Sequence, residues 1–91
     1  MKSNDILASR LREIRSEKYG EHGGPLMAEA MGLPARTWAN YESGVTIQGL
    51  ALLRFIDVSG VEPHWLLSGR GEKYRLGPRI LDDSALQRET G

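Results

Sequence analysis

Glycine and proline punctuate the first 71 residues so regularly that only short elements fit between the breaks, and those elements carry helical periodicity. From Asn4 to Tyr19 the apolar residues Leu7, Leu11 and Ile14 recur at steps of four and three, one face of a helix that Ser3 or Asn4 can cap. Gly20, Gly23 and Gly24 then disfavour further helix, and Pro25 opens a second one where its missing N–H costs nothing. That helix, Pro25 to Met31, offers Leu26, Met27, Ala30 and Met31 for burial. Gly32-Leu33-Pro34 ends it and starts a third, Ala35 to Glu42, with Trp38 and Tyr41 on one side. After Ser43-Gly44 a fourth helix is expected over Gln48 to Ser59, with Leu52, Phe55, Ile56 and Ser59 at i, i+3, i+4 and i+7. A last short helix, Pro63 to Leu67, stops at Ser68-Gly69-Arg70-Gly71.

No stretch of residues 1–70 alternates with period two, so the expected fold class is all-α. The expected division is a five-helix domain over residues 1–71 and a tail or linker over 72–91, which Gly77-Pro78 separates from the domain. Leu11, Ile14, Met27, Leu33, Trp38, Leu52, Phe55, Ile56 and Trp65 form the expected core.

Composition narrows the function classes. No apolar run approaches the ~20 residues of a membrane span, and the first residues lead directly into an amphipathic pattern without a signal-peptide core, so a cytoplasmic protein with no membrane contact is expected. The absence of cysteine agrees, since small secreted domains usually rely on disulfides. There is no thiol nucleophile, no histidine clustered with an acid and no phosphate-binding glycine motif, so no enzyme is expected. His22 and His64 have no ligand set near them in sequence, and neither a metal, a cofactor nor a small-molecule ligand is expected. Twelve Lys and Arg balance twelve Asp and Glu, six of each sign in residues 1–45 and six of each in 46–91. Binding to nucleic acid would therefore need a local basic surface. Arg10, Arg12, Lys18, Arg36, Arg70, Lys73, Arg75 and Arg79 are its candidates, each also readable as an ordinary solvated charge.

Residues 27–44, Met-Ala-Glu-Ala-Met-Gly-Leu-Pro-Ala-Arg-Thr-Trp-Ala-Asn-Tyr-Glu-Ser-Gly, resemble the helix-turn-helix of phage repressors, Cro proteins and the related bacterial regulators called XRE-type. The shared features are the alanine of the second helix, the turn glycine, the apolar residue after it, and Tyr-Glu-x-Gly closing the third helix. Gly60-Val61-Glu62-Pro63-His64-Trp65-Leu66-Leu67-Ser68-Gly69 is similar to that family's closing helix, so the resemblance spans about residues 6–71. It implies a λ-repressor-like DNA-binding domain. Ala28 must then be small where two helices cross, Gly32 supplies a positive φ, and Leu33 plugs the turn into the core.

The resemblance also implies site residues. Glu42 matches the family's buried acid and Arg15 its arginine on the first helix, an interhelical pair whose alternative is pairing within each residue's own helix. Ala35, Arg36 and Asn40 match positions on the third helix that face base edges in the major groove. Arg36 suits guanine O6 and N7, Asn40 suits adenine N6 and N7, and Ala35 can meet only a thymine methyl. Thr37 and Ser43 are candidates for phosphate contacts. Where the family has a glutamine touching phosphate this chain has Gly24, whose backbone N–H could serve instead, and the loop before it is two residues longer. The implied function is a sequence-specific double-stranded DNA-binding regulator of transcription, a repressor acting as a homodimer on a palindromic operator. The alternative is a protein-interaction module of the same fold, such as an anti-activator, favoured by the neutral charge, the missing glutamine and the glycine loop.

Overall fold

In a computed structural model, which describes residues 3–75, α1 (Ser3–Tyr19) buries Ala8, Leu11, Ile14 and Arg15 on one face. Asn4 lies inside the first turn rather than capping it, and its amide donates to Thr46 Oγ1 at 2.8 Å. Gly20, Gly23 and Gly24 break the pattern as expected, and the buried Gly23 precedes α2 (Gly24–Met31), with Pro25 in its first turn. Met27, Ala28 and Met31 of α2 are buried. Gly32 closes the helix at φ 70°, a left-handed conformation that L side chains rarely adopt, and lets the N–H of Leu33 donate back to Ala28 O at 2.9 Å. Pro34 then turns the chain into α3 (Ala35–Glu42).

α4 (Gly49–Ser59) follows an extended Gln48, and α5 (Pro63–Ser68) follows Glu62, whose side chain accepts from His64 N. Among the described residues every regular element is a helix, so the architecture is all-α with five helices. α2, α3 and α5 each pack against α1, and α4 packs against α2.

Trp38 is the centre of the core. Its ring stacks on Phe55 of α4 with centroids 5.4 Å apart, and meets Tyr41 edge-on at 6.4 Å. Such aromatic pairs add about 0.5–1.5 kcal/mol beyond their burial. Leu11, Ile14, Met27 and Phe55 are buried around it, as expected. Leu33, Leu52, Ile56 and Trp65, expected as core, are only half-buried and pack on its rim. Met31, Tyr41, Val61 and Leu66 occupy the centre instead. On the six-residue α5, Leu66 takes the inward position, so its neighbour Trp65 is turned aside, where Lys73 Nζ lies 5.1 Å from its ring centroid.

One further device holds the helices. Each has a backbone carbonyl at or just beyond its C-terminal end engaged by an arginine from outside the last turn, where the helix dipole favours a cation. Arg15 donates to Gly20 O just beyond α1 (2.7 Å), Arg54 to Met31 O of α2 (3.0 Å), Arg12 to Glu42 O of α3 (2.7 Å), Arg75 to Ile56 O of α4 (3.2 Å) and Arg10 to Leu66 O of α5 (3.1 Å).

The chain does not leave the helical unit at residue 71. Val61 and Tyr74 form an isolated antiparallel bridge, with Glu62 N donating to Lys73 O and Arg75 N to Gly60 O, both at 2.8 Å. Residues 73–75, expected to begin a tail, thus strap back across the domain. Lys73 pairs with Glu13 and Glu17 of α1, and Tyr74 Oη donates to Glu17 at 2.6 Å. The expected tail beyond 75, including Arg79, lies outside the described residues.

Candidate functional site

The orientation of α3 is set at its far end, by Glu42. Arg15 approaches its carboxylate with both prongs, Nε to Oε2 at 2.9 Å and a terminal nitrogen to Oε1 at 2.8 Å. The indole N–H of Trp38 donates to the same Oε2. Side chains of Arg15 and Glu42 are only 9% and 12% exposed, so this is a partly desolvated, charge-assisted contact. The bond to Glu42 raises the Arg15 pKa further above its ordinary value, against the opposing effect of burial. The remaining guanidinium nitrogen of Arg15 reaches Gly20 O and Glu21 O, at 2.7 and 2.8 Å. One side chain thereby joins α1, the glycine loop and α3.

This clamp turns the only acidic side chain of α3 inward and leaves an exposed stripe made of Ala35, Arg36, Ala39, Asn40 and Ser43. Arg36 is exposed, and among the described residues its guanidinium has no partner. Asn40 is exposed, with its backbone carbonyl accepting from Ser43 and Val45. The Ser43 hydroxyl donates to that same carbonyl at 2.8 Å, so it is engaged in closing the helix. Thr37 is half-buried at the edge of the stripe. Gly24 sits at the first position of α2, and a β-carbon there would meet only Trp38 Cδ1, at an ordinary 3.9 Å.

Between the start of α2 and α3 runs an open groove of about 280 Å³, lined by Gly24, Pro25, Ala35, Trp38, Ala39 and Glu42. Sequence reasoning singled out Ala35 and Gly24 but missed Ala39, four residues after Ala35 and therefore on the same helical face.

The structure disperses the candidate basic surface. Arg10, Arg12 and Arg75 are used at helix ends, Lys73 is bound by two glutamates, and Lys18 lies 5.4 Å over the Tyr74 ring. Arg36 and Arg70 are the cations whose side chains have no partner among the described residues. No group of three or more His, Asp or Glu able to hold a metal occurs among the described residues, and no described helix is long and apolar enough to cross a membrane. No protein-family model matches the chain, and neither the curated proteins nor the solved structures contain a significant match to it.

Proposed function

We propose that this protein is a λ-repressor-like, XRE-type helix-turn-helix domain that binds double-stranded DNA sequence-specifically in the cytoplasm, as a repressor-type regulator of transcription. The observation that carries the reading is the α3 stripe. Its acid is withdrawn into the Arg15 clamp, its one cation is unengaged, and its other members are small or uncharged. A helix held rigidly from behind with Arg36 and Asn40 outward suits the major groove, whose base edges match those two side chains bidentately. Thr37 and the backbone at Gly24 border the stripe and Ser43 ends it, where phosphate contacts would fix register. The protein acts as a homodimer, with two α3 helices meeting half-sites about one helical turn apart, roughly 34 Å.

The test is selection of duplexes from a randomised library at physiological salt, with the mass of the selected complex measured. A two-fold symmetric motif bound by two protomers supports the reading; no enrichment of any sequence refutes it.

One observation favours a second reading, a protein-binding module. Leu50 and Leu53 lie one turn apart on α4, at 81% and 64% exposure, and few cations among the described residues are free to meet phosphate. Failure to enrich any duplex, with capture of a defined protein partner abolished by Leu50→Asp, would establish it.

A further inference from the structure

The groove between α2 and α3 offers something the α3 stripe alone does not. Its walls are the Ala35 and Ala39 methyls, the Pro25 ring and the indole edge of Trp38, and Gly24 lines it without a side chain. The Glu42 carboxylate at its end is occupied by Arg15 and by the Trp38 N–H, which leaves the lining apolar in character. Arg36 follows Ala35 in α3 and is exposed.

Resting on the DNA-binding reading, we propose that this groove is a thymine subsite, taking the 5-methyl group and the C5–C6 edge of one thymine per half-site, adjacent to the base pair that Arg36 reads. Among the groups displayed in the major groove, the thymine methyl is the apolar one; purine edges present N7, and cytosine presents an amino group beside a bare C5–H. A slot walled by alanine methyls, a proline ring and an indole edge gains nothing from those polar groups, and it desolvates a methyl. The space admits the pyrimidine edge as well as the methyl, so the contact does not force the groove apart.

The size of the effect follows from the transfer of one carbon group out of water. At ~0.8 kcal/mol a missing methyl weakens binding about four-fold. That is small against the loss of a bidentate contact, so the subsite tunes sequence preference while Arg36 and Asn40 set it.

The experiment uses the full chain and the tightest duplex recovered from a randomised library. Each thymine is replaced in turn by deoxyuridine, which removes only the methyl, and binding is titrated by fluorescence anisotropy. One position per half-site losing about four-fold is the expected result. In a Gly24→Gln variant, checked by thermal melting to be folded, the new side chain fills the slot. The thymine-to-deoxyuridine ratio at that position should fall to about one, whatever happens to overall affinity. A tight duplex indifferent to every deoxyuridine replacement overturns the subsite and leaves DNA binding standing. So does a methyl effect that Gly24→Gln does not alter, because the methyl is then read elsewhere. Recovery of no duplex at all overturns the underlying reading and the subsite with it.

Discussion

Gly23 lies so close to Tyr19 that a β-carbon built on it would fall 2.3 Å from the Tyr19 β-carbon and 2.4 Å from the Tyr19 carbonyl oxygen. Its φ of −87° is open to any residue, so the requirement for glycine here is one of space, not of backbone conformation. The loop between α1 and α2 passes directly over the last turn of α1, and this contact sets where α2 begins.

Gly23→Ala should therefore destabilise the fold by about 1–3 kcal/mol or more, because the neighbouring atoms include backbone that cannot swing aside. Gly24→Ala, one residue on, should be nearly neutral, since the added carbon meets only Trp38 at van der Waals distance. Urea titrations of the two variants measure the contrast; equal losses would contradict the account.

Removing Glu42 strands Arg15 in a site where its side chain is 9% exposed. Glu42→Ala should cost ~3–5 kcal/mol, and the double variant with Arg15→Met should cost less than the sum of the single changes. A double-mutant cycle on thermal unfolding checks this, and strict additivity would show that the two residues do not act together.

Arg36 has no hydrogen bond or ion pair among the described residues, so Arg36→Ala should leave the melting temperature nearly unchanged. Specific duplex binding should weaken by about 1–3 kcal/mol, with relaxed preference at one base pair. Equal losses on specific and scrambled duplexes would make Arg36 a phosphate contact.

Hydrogen bonds from Lys73 and then Tyr74 hold the Glu17 carboxyl below its usual range, while burial, followed by the bond to Glu17, pushes the Tyr74 phenol up to about 12. A depressed carboxyl contributes stability at pH above its unfolded value and loses it as pH falls through the folded one. A raised phenol contributes below its unfolded value, ~10, and loses that as pH rises through about 12. The strap over α1 should accordingly hold through neutral pH and loosen at both extremes. Phenolate absorbance should show one tyrosine titrating near 12, moving down in Glu17→Gln; no movement would exclude the contact.

With Arg36 and Arg70 the unengaged cations among the described residues, DNA binding should release few counterions. With Arg36 on a base edge and Arg70 left to meet phosphate, the slope of log K against log salt should be roughly −1 per protomer, at about −0.9 per phosphate neutralised. A much steeper dependence would mean that the arginines at the helix ends let go on binding.

Helix positions were legible in the sequence because glycine and proline mark them, and the observed ends fall within a residue or two of those expected. Much of the core was legible too, where the apolar spacing is unambiguous, as at Leu11, Ile14 and Phe55. Adjacent apolar pairs defeated it. Nothing local tells which of Trp65 and Leu66 turns inward, because the choice rests on how α5 meets α1. The same holds for charge. Arg10, Arg12 and Arg75 read as solvated cations until the helix ends they serve are brought beside them by the tertiary fold. The Arg15–Glu42 contact, 27 residues apart, was legible only through the resemblance and not through any local pattern. The strap at 73–75 carried no signal, since its partners Glu13 and Glu17 lie far back in the chain.

Because α3 is anchored through Trp38, Tyr41 and Glu42, its outward residues 35, 36, 39, 40 and 43 carry almost none of the tertiary structure. Selection can exchange them freely, and a lineage built on this scaffold could retarget itself by a handful of substitutions without passing through an unfolded ancestor. The clamp at Glu42 thus separates the heritable frame of the molecule from its replaceable vocabulary.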